Sequence, residues 1–432
     1  MGLFPGVDAL SYWRWIIAIV VLTACSSQSD QTHHSFHVFE ENGVQVAVTS
    51  GGPKYTGELF TYEKLMVLDT EQSGDTILFR PTQFMADDAG NMYINDTGLG
   101  SILAFDATGR YTHMIGRTGS GPGESIYGQI QLIHDGMIQF YGIKERRTTR
   151  FNPDGNIVDI TTMPARIDLF GNTDFIILPD NGQLILTNET QIGDKDTPKG
   201  TKVVDNEIQR WGAIILSKDG ERINAAFTPW IHVSKMIDVN VGGSVYASPV
   251  QIAFGPQPTA LYHPTHGIVF SLSEQPILEI YDLTGRKIRM IRLDLDPEPV
   301  TPADRYRVRQ IFLEDSEQST GESEKPVDWV SMANQYPFAD QKAFWGMAEI
   351  DDDGFFWLDL SIEPESLDGD IHEFMVVSPE GEYLGNTSRP YRPETHISNG
   401  LMYLLEDDPE TGEILPTIYR IKPAVEGFDY PD

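Results

Sequence analysis

One cysteine in 432 residues, Cys25, excludes a disulfide within the chain. Basic residues are scarce as well: 31 Lys and Arg stand against 64 Asp and Glu, a formal net charge of −33. That balance excludes duplex DNA or RNA as a partner, because such binding relies on Lys and Arg to neutralise phosphates. The excess carboxylates hold hydration and suit solubility in a saline habitat. No G-x-S-x-G elbow is present, so no nucleophile can be named. What the chain does have is apolar content. Hydrophobic residues make up 40% and aromatic ones 10%, enough for a substantial core without disulfides.

The N-terminus reads YWRWIIAIVVLTACSSQSD, with Arg14 ahead of an apolar run of about ten residues, Trp15 to Ala24. A membrane-spanning helix needs roughly 20. The run fits the core of a secretory signal, and Thr23 and Ala24 before Cys25 resemble the bacterial lipobox, whose cysteine is diacylated and becomes the mature N-terminus. Residues 1–24 are expected as signal peptide, Cys25 as the lipidated residue, and residues 25–37 as a flexible tether. His33, His34 and His37 in that tether are expected to be solvated.

A repeat organises the rest. Gly90 and Gly136, Phe105 and Phe151, and Gly109 and Gly155 are each 46 residues apart. The register continues through Gly182 and Gly220, Gly267 and Gly285, Gly354 and Gly381, and Gly400, six units in all. Each unit alternates β-rich runs with turns such as DAGN and PDGN, where chain reversal needs Gly and Asx chemistry. Repeats of roughly 40–50 residues built from four strands describe a β-propeller. The expected fold is all-β, a six-bladed β-propeller of four-stranded antiparallel blades over residues 38–423, with a C-terminal tail at 424–432. The last unit lacks a fourth strand, which either EKLMVLDT (Glu63 to Thr70) or VQVAVTS (Val44 to Ser50) could supply. Insertions are expected at about 190–212 and 296–345. The first is a long polar loop. The second, between blades four and five, contains TPADRYRVRQIFLEDSEQ, a helix opened by a Thr-x-x-Asp start signal, then the acidic stretch STGESEKPVD.

GRTGSGPGES, Gly116 to Ser125, invites a phosphate-binding reading, since backbone N–H groups reach an anion where no side chain intervenes. A phosphate loop, however, needs Lys-Ser/Thr opening a helix or a βαβ setting. Here no lysine is available and the strand IYGQIQLI follows, so the loop is expected to link one blade to the next. The run GNMYINDTGLGSILAFDATGRYTHMIGRTGSGPGES resembles an NHL-type repeat. The whole chain, over roughly residues 36 to 422, resembles the six-bladed β-propeller lipoproteins of Bacteroidetes-type envelopes, which share a lipobox, a GPGE loop and a late YPF…G-F-x-W segment, here Tyr336 to Trp357. That resemblance implies the fold and an envelope location, and no particular activity.

In an up-and-down blade, the loops between second and third strands and the crossings between blades share one face. DTGLGS, RTGSGPGES, GIKERRT, the Thr190–Gly212 loop and IEPESLDGD make this the expected working face. Arg117, Lys144, Arg146 and Arg147 form a basic group there, candidates for a carboxylate or an anionic glycan, with Glu124 and Glu145 as competing internal partners. Six-bladed relatives include gluconolactonase-like and strictosidine-synthase-like hydrolases and lyases, some with a channel-bound divalent cation. For that alternative the metal ligands would be Asn95, Asp96, Asn188 and Asp359, oxygen donors suited to Ca²⁺. Against it, Asp96 is well placed to cap its own turn. His263 and His266 are a zinc-like fragment without a third ligand, on the opposite face, and Asp351 to Gly354 is a hairpin turn. The expected function is an envelope-anchored binding or scaffold module for a protein, peptide or glycan. It would be held to the membrane by its N-terminal lipid, with no cofactor expected unless Ca²⁺ serves the enzymatic alternative.

Overall fold

The computed structural model describes residues 33–431 except 69, 71–77, 135, 165–172, 193–205, 319–327, 363–370, 393–394 and 409. Cys25 lies outside the described residues.

Three strands precede the repeats: β1 (Ser35–Glu41), β2 (Val44–Ser50) and β3 (Phe60–Val67). Four-stranded antiparallel sheets then follow in chain order. The first is β4 (Pro81–Ala86), β5 (Met92–Asp96), β6 (Ser101–Phe105) and β7 (Tyr111–Ile115). The second is β8 (Gly128–His134), β9 (Met137–Gly142), β10 (Arg147–Phe151) and β11 (Ile157–Thr162). The third is β12 (Thr173–Ile177), β13 (Gln183–Ile192), β14 (Asn206–Leu216) and β15 (Arg222–Phe227), extended by the hairpin β16 (Ile231–Val241) and β17 (Ser244–Gln251). The fourth is β18 (Thr259–His263), β19 (Gly267–Leu272), β20 (Ile277–Tyr281) and β21 (Lys287–Leu293). Helices α1 (Pro302–Gln318) and α2 (Trp329–Gln335) precede the fifth sheet: β22 (Ala348–Ile350), β23 (Phe356–Asp359), β24 (Ile371–Val377) and β25 (Tyr383–Pro390). The sixth comprises β26 (His396–Ser398), β27 (Leu401–Asp407), β28 (Ile414–Pro423) and, from the N-terminus, β3.

The burial pattern explains why these short runs are strands. Every residue of β5 and β6 is buried, whereas the outer strand β7 alternates. A middle strand covered on both faces reads as continuous apolar sequence, and an outer one does not. The covering comes from neighbouring sheets. Ile102 and Ile115 meet Ile130 and Phe140 between the first and second sheets, and Tyr141 meets Phe175 between the second and third. Leu186 meets Phe270 between third and fourth, Ile291 meets Phe356 between fourth and fifth, and Val376 meets Met402 between fifth and sixth. Ile418 of the sixth then meets Phe84 of the first, closing the ring. Each such side chain contributes about 1.5–3 kcal/mol on burial.

Ring closure settles the two N-terminal segments. Strand β3 pairs antiparallel with β28, from Val67 beside Thr417 to Phe60 beside Pro423, and completes the sixth sheet. Strand β2 instead runs parallel beside β21, with β1 outside it, so the fourth sheet has six strands. Ser35 to His37, assigned to the tether, are the first residues of β1.

The insertions hold more order than their polarity implies. Strands β13 and β14 reach into the expected 190–212 loop, to Ile192 and from Asn206. The hairpin β16–β17 has no counterpart in the expected blade plan. It reverses at Gly242 and Gly243, whose φ values of 59° and 83° suit a two-residue hairpin turn. The predicted helix is present as α1, and its capping box is formed: Thr301 Oγ1 accepts the Asp304 N–H at 3.2 Å and Asp304 Oδ2 accepts the Thr301 N–H at 2.8 Å. The expected C-terminal tail is seated. Tyr430 is buried against Phe60 and Phe355, and its hydroxyl donates to Asp351 Oδ2 at 2.6 Å.

Candidate functional site

Two crossings on the working face, from first sheet to second and from fourth to fifth, differ in what their polar groups do.

In the first, Gly116 to Ser125, the loop's own polar groups are consumed. Glu124 accepts the Gly121 N–H at 2.8 Å and the Arg117 Nε–H at 2.6 Å, and these donors hold its carboxyl below the ordinary range. Arg147, at the start of β10, donates to the carbonyls of Ser120 (3.1 Å), Gly121 and Glu124 (2.6 Å). Glu145 accepts the Ser125 hydroxyl at 3.0 Å, and Arg146 reaches Met163 Sδ at 3.5 Å. Of the four basic candidates, Arg117 and Arg147 therefore hold this loop, Arg146 turns inward, and Lys144 is left exposed. A guanidinium meeting three carbonyls of a glycine-rich turn is a clasp; an anion there would have to displace it.

The metal candidates fare similarly. Asp96 is fully buried, its Oδ1 accepting the N–H groups of Arg80 (2.9 Å), Gly98 (2.9 Å) and Leu99 (3.0 Å), and Oδ2 that of Phe79 (2.6 Å). Its charge is spent capping the turn. The Asn95 amide donates to Thr82, Gln83 and the Gly128 carbonyl, tying first sheet to second. Asn188 sits on β13 in the third sheet opposite Trp211, and Asp359 ends β23 in the fifth. Among the described residues no group of three or more His, Cys, Asp and Glu is placed to hold a metal ion. Asp96 and Asn95 are thus already engaged within the fold, and a cation at these positions would have to displace their present partners.

The second crossing is open. Between β21 and β22, together with the loop after β23 and the start of β24, lies a cleft of about 720 Å³. Leu295, Phe344, Leu360 and Met375 make its apolar wall; Asp296, Glu298 and Glu373 line it with carboxylates, and Lys342 is its cation. Lys342 leans between Asp304 Oδ1 (3.6 Å) and Glu298 Oε2 (3.9 Å), so the insertion carrying α1 is coupled to the cleft. Glu373 is steadied by the Asn386 amide at 2.7 Å.

Behind this wall, on the fifth sheet, sit two polar pairs, His372 with Asp359 and Arg389 with Glu349. His372, 3% exposed and also lining the cleft, faces Asp359 Oδ2 through Nδ1 at 2.9 Å, while the Ser361 N–H donates to Asp359 Oδ1 at 2.8 Å. His372 stacks on Tyr391 with ring centroids 4.2 Å apart, and its Nε2 has no hydrogen-bond partner. The fully buried Arg389 extends over Phe374, 3.9 Å from the ring centroid, to pair with Glu349; burial raises the Glu349 carboxyl and Arg389 opposes the rise. Of these four residues sequence reasoning reached only Asp359. Glu349, His372 and Arg389 are brought onto one face by strand register, Glu349 beside Trp357 and His372 beside Arg389, with no short motif to reveal them.

A second recess, about 320 Å³, lies where the first, second and sixth sheets meet, and Asn95 and Tyr127 line it. His263 and His266 lie on the opposite face, their Nε2 atoms against the backbone carbonyls of Asp352 (3.4 Å) and Gly354 (2.9 Å), and burial pushes His263 down to about 4.

No protein-family profile matches the sequence, and no curated protein matches it. Solved structures do resemble the fold. A protein of Bacteroides fragilis, provisionally named as exported, is 11% identical over 84% of this chain and 95% of its own, with a TM-score of 0.44. A member of the DUF4221 family from Bacteroides vulgatus is 13% identical over 91% and 100%, at 0.43. A gluconolactonase of Xanthomonas campestris is 10% identical over 80% and 87%, at 0.33. Likenesses this distant concern the chain path alone, and the fold rests on the strand pairing above. Among the described residues no helix is long and apolar enough to cross a membrane.

Proposed function

We propose that the chain is an envelope-anchored, six-bladed propeller that binds a protein, peptide or glycan ligand in the cleft between its fourth and fifth sheets. One observation carries this reading: a cleft of about 720 Å³ combines an apolar wall with carboxylates on the expected working face. Binding sites for small ligands span roughly 300–1,000 Å³ and join apolar walls to a few placed polar groups. The basic loop offers no comparable opening, since the clasp fills it. The expected signal peptide at residues 1–24 and the lipobox-like Cys25 support an envelope location. For the alternative, a divalent-metal-dependent hydrolase or lyase at the channel mouth, the described residues offer no group of three or more His, Cys, Asp and Glu placed to hold a metal ion.

The test is thermal unfolding of the chain from Ser26 against short peptides, muropeptides and oligosaccharides. It is repeated on Ile371→Trp and Glu373→Lys, two changes at exposed cleft residues. A ligand at 100 times its dissociation constant stabilises by about 2.7 kcal/mol. Shifts seen with the parent chain and lost in both variants support the cleft. A calcium-specific rise reversed by chelator would favour the metal-dependent alternative instead.

A further inference from the structure

We propose that the loops of the first and second sheets rest on an anionic lipid surface, with Phe79, Ile126, Tyr127 and Ile143 entering the interface and Arg80 and Lys144 at headgroup level. These four apolar side chains are 78%, 41%, 55% and 39% exposed, and all belong to working-face loops. They form one patch. Ile143 donates its N–H to the Tyr127 carbonyl at 3.0 Å, and Tyr127 shares a recess with Thr97 of the loop beneath Phe79. Phe79 is also held in place. Its N–H is fixed by Asp96, and its ring lies over Gly98, where a Cβ would come within 2.1 Å of Cδ1. Gly98 is thus the residue that lets an exposed phenyl ring stand there.

Charge selects the occupant. Loops 79–80, 97–100, 116–127 and 142–147 hold five basic and two acidic residues on a protein of net charge −33. Arg117 and Arg147 remain positive while holding the loop, and the exposed Arg80 and Lys144 stand beside the aromatic side chains, an arrangement that fits the interface of an anionic bilayer. At physiological salt the distant acids are screened beyond about 8 Å.

Topology places the N-terminus on the same side. Ser35 opens β1 opposite Ser50, and the neighbouring Thr49 accepts the Asp294 N–H at 2.9 Å, where the crossing to the fifth sheet leaves on the working face. Nine residues separate Cys25 from Ser35, a reach of about 35 Å when extended. A lipid on Cys25 would thus tether the working-face end of β1 within about 35 Å of the membrane. This last support rests on the lipidation reading; the patch itself does not.

The experiment is co-flotation of the chain from Ser26, which retains every described strand and carries no lipid, with phosphatidylcholine vesicles with or without phosphatidylglycerol. Binding is expected only with phosphatidylglycerol, weakening as salt rises, and about tenfold weaker in Phe79→Ser/Tyr127→Ser. Lys144→Glu should reduce the salt dependence. Val245→Ser/Tyr246→Ser, which changes exposed apolar residues of the β16–β17 hairpin, should leave binding unchanged. Absence of binding to anionic vesicles, or equal loss in the hairpin variant, overturns the proposal. Fractionation of cells expressing Cys25→Ser tests the anchor separately, so failure of one reading is distinguishable from failure of the other.

Discussion

The crossing from first sheet to second and the crossing from fourth to fifth leave the same face of the ring, yet one is sealed and the other open. The sealed one is ten residues, Gly116 to Ser125, and its backbone groups are met by Glu124 and Arg147. The open one is interrupted by α1 and α2 and leaves a cleft of about 720 Å³ lined by carboxylates. Glycine content and basic charge point to the first, but side-chain satisfaction points to the second. An arginine whose N–H groups already meet carbonyls is not waiting for an anion, whereas the hollow at the second crossing is lined by Asp296, Glu298 and Glu373.

The strongest test of this contrast removes a charge from behind the wall of the open crossing. Arg389→Ala leaves Glu349 buried without its cation and should cost about 3–5 kcal/mol in urea unfolding. Arg389→Met with Glu349→Leu should recover most of the loss. The opposite end of the same sheet should show a pH effect of a few kcal/mol. Burial raises Asp351 to about 7, against the donors Tyr430, Trp357 and the Phe355 N–H. The unfolded chain loses this proton near pH 4. The folded chain therefore holds more protons between about 4 and 7, and its stability falls as pH rises through that window. Asp351→Asn should flatten the slope in unfolding measured across pH.

At the sealed crossing, Arg147→Ala orphans three carbonyls and should cost about 1.5–3 kcal/mol, with Arg147→Lys recovering only part because a point charge cannot fork between them. Ile371→Trp at the cleft is the smallest effect, within about 0.5 kcal/mol in stability, yet it should abolish ligand-induced shifts. A clasp residue that changes stability and a cleft residue that changes binding would sharpen the distinction; the reverse would break it.

The fold was legible where chemistry is local. Hairpin turns need glycine and Asx residues, so a 46-residue offset between glycines marked repeating units, and Thr301 with Asp304 marked the start of α1. Asp96 was suspected as a turn cap, and two of its four N–H partners, Gly98 and Leu99, lie two and three residues on, whereas Phe79 and Arg80 come from the preceding crossing. The rest depended on register. Nothing local distinguishes β3 from β2 as the strand that joins β28. Glu349 and Arg389 are 40 residues apart and meet only because the two strands between them, β23 and β24, hold β22 and β25 in a fixed alignment. His372 looks like any strand residue until its neighbour Asp359 is placed against it.

The most direct measurement is hydrogen–deuterium exchange of the chain from Ser26, alone and with the best ligand from the peptide and glycan panel. The two-crossing account predicts protection confined to the backbone around Leu295–Glu298, Lys342–Phe344 and Leu360–Ile362, with Gly116–Ser125 unchanged. Protection of Gly116–Ser125, with the cleft segments exchanging as before, would contradict it.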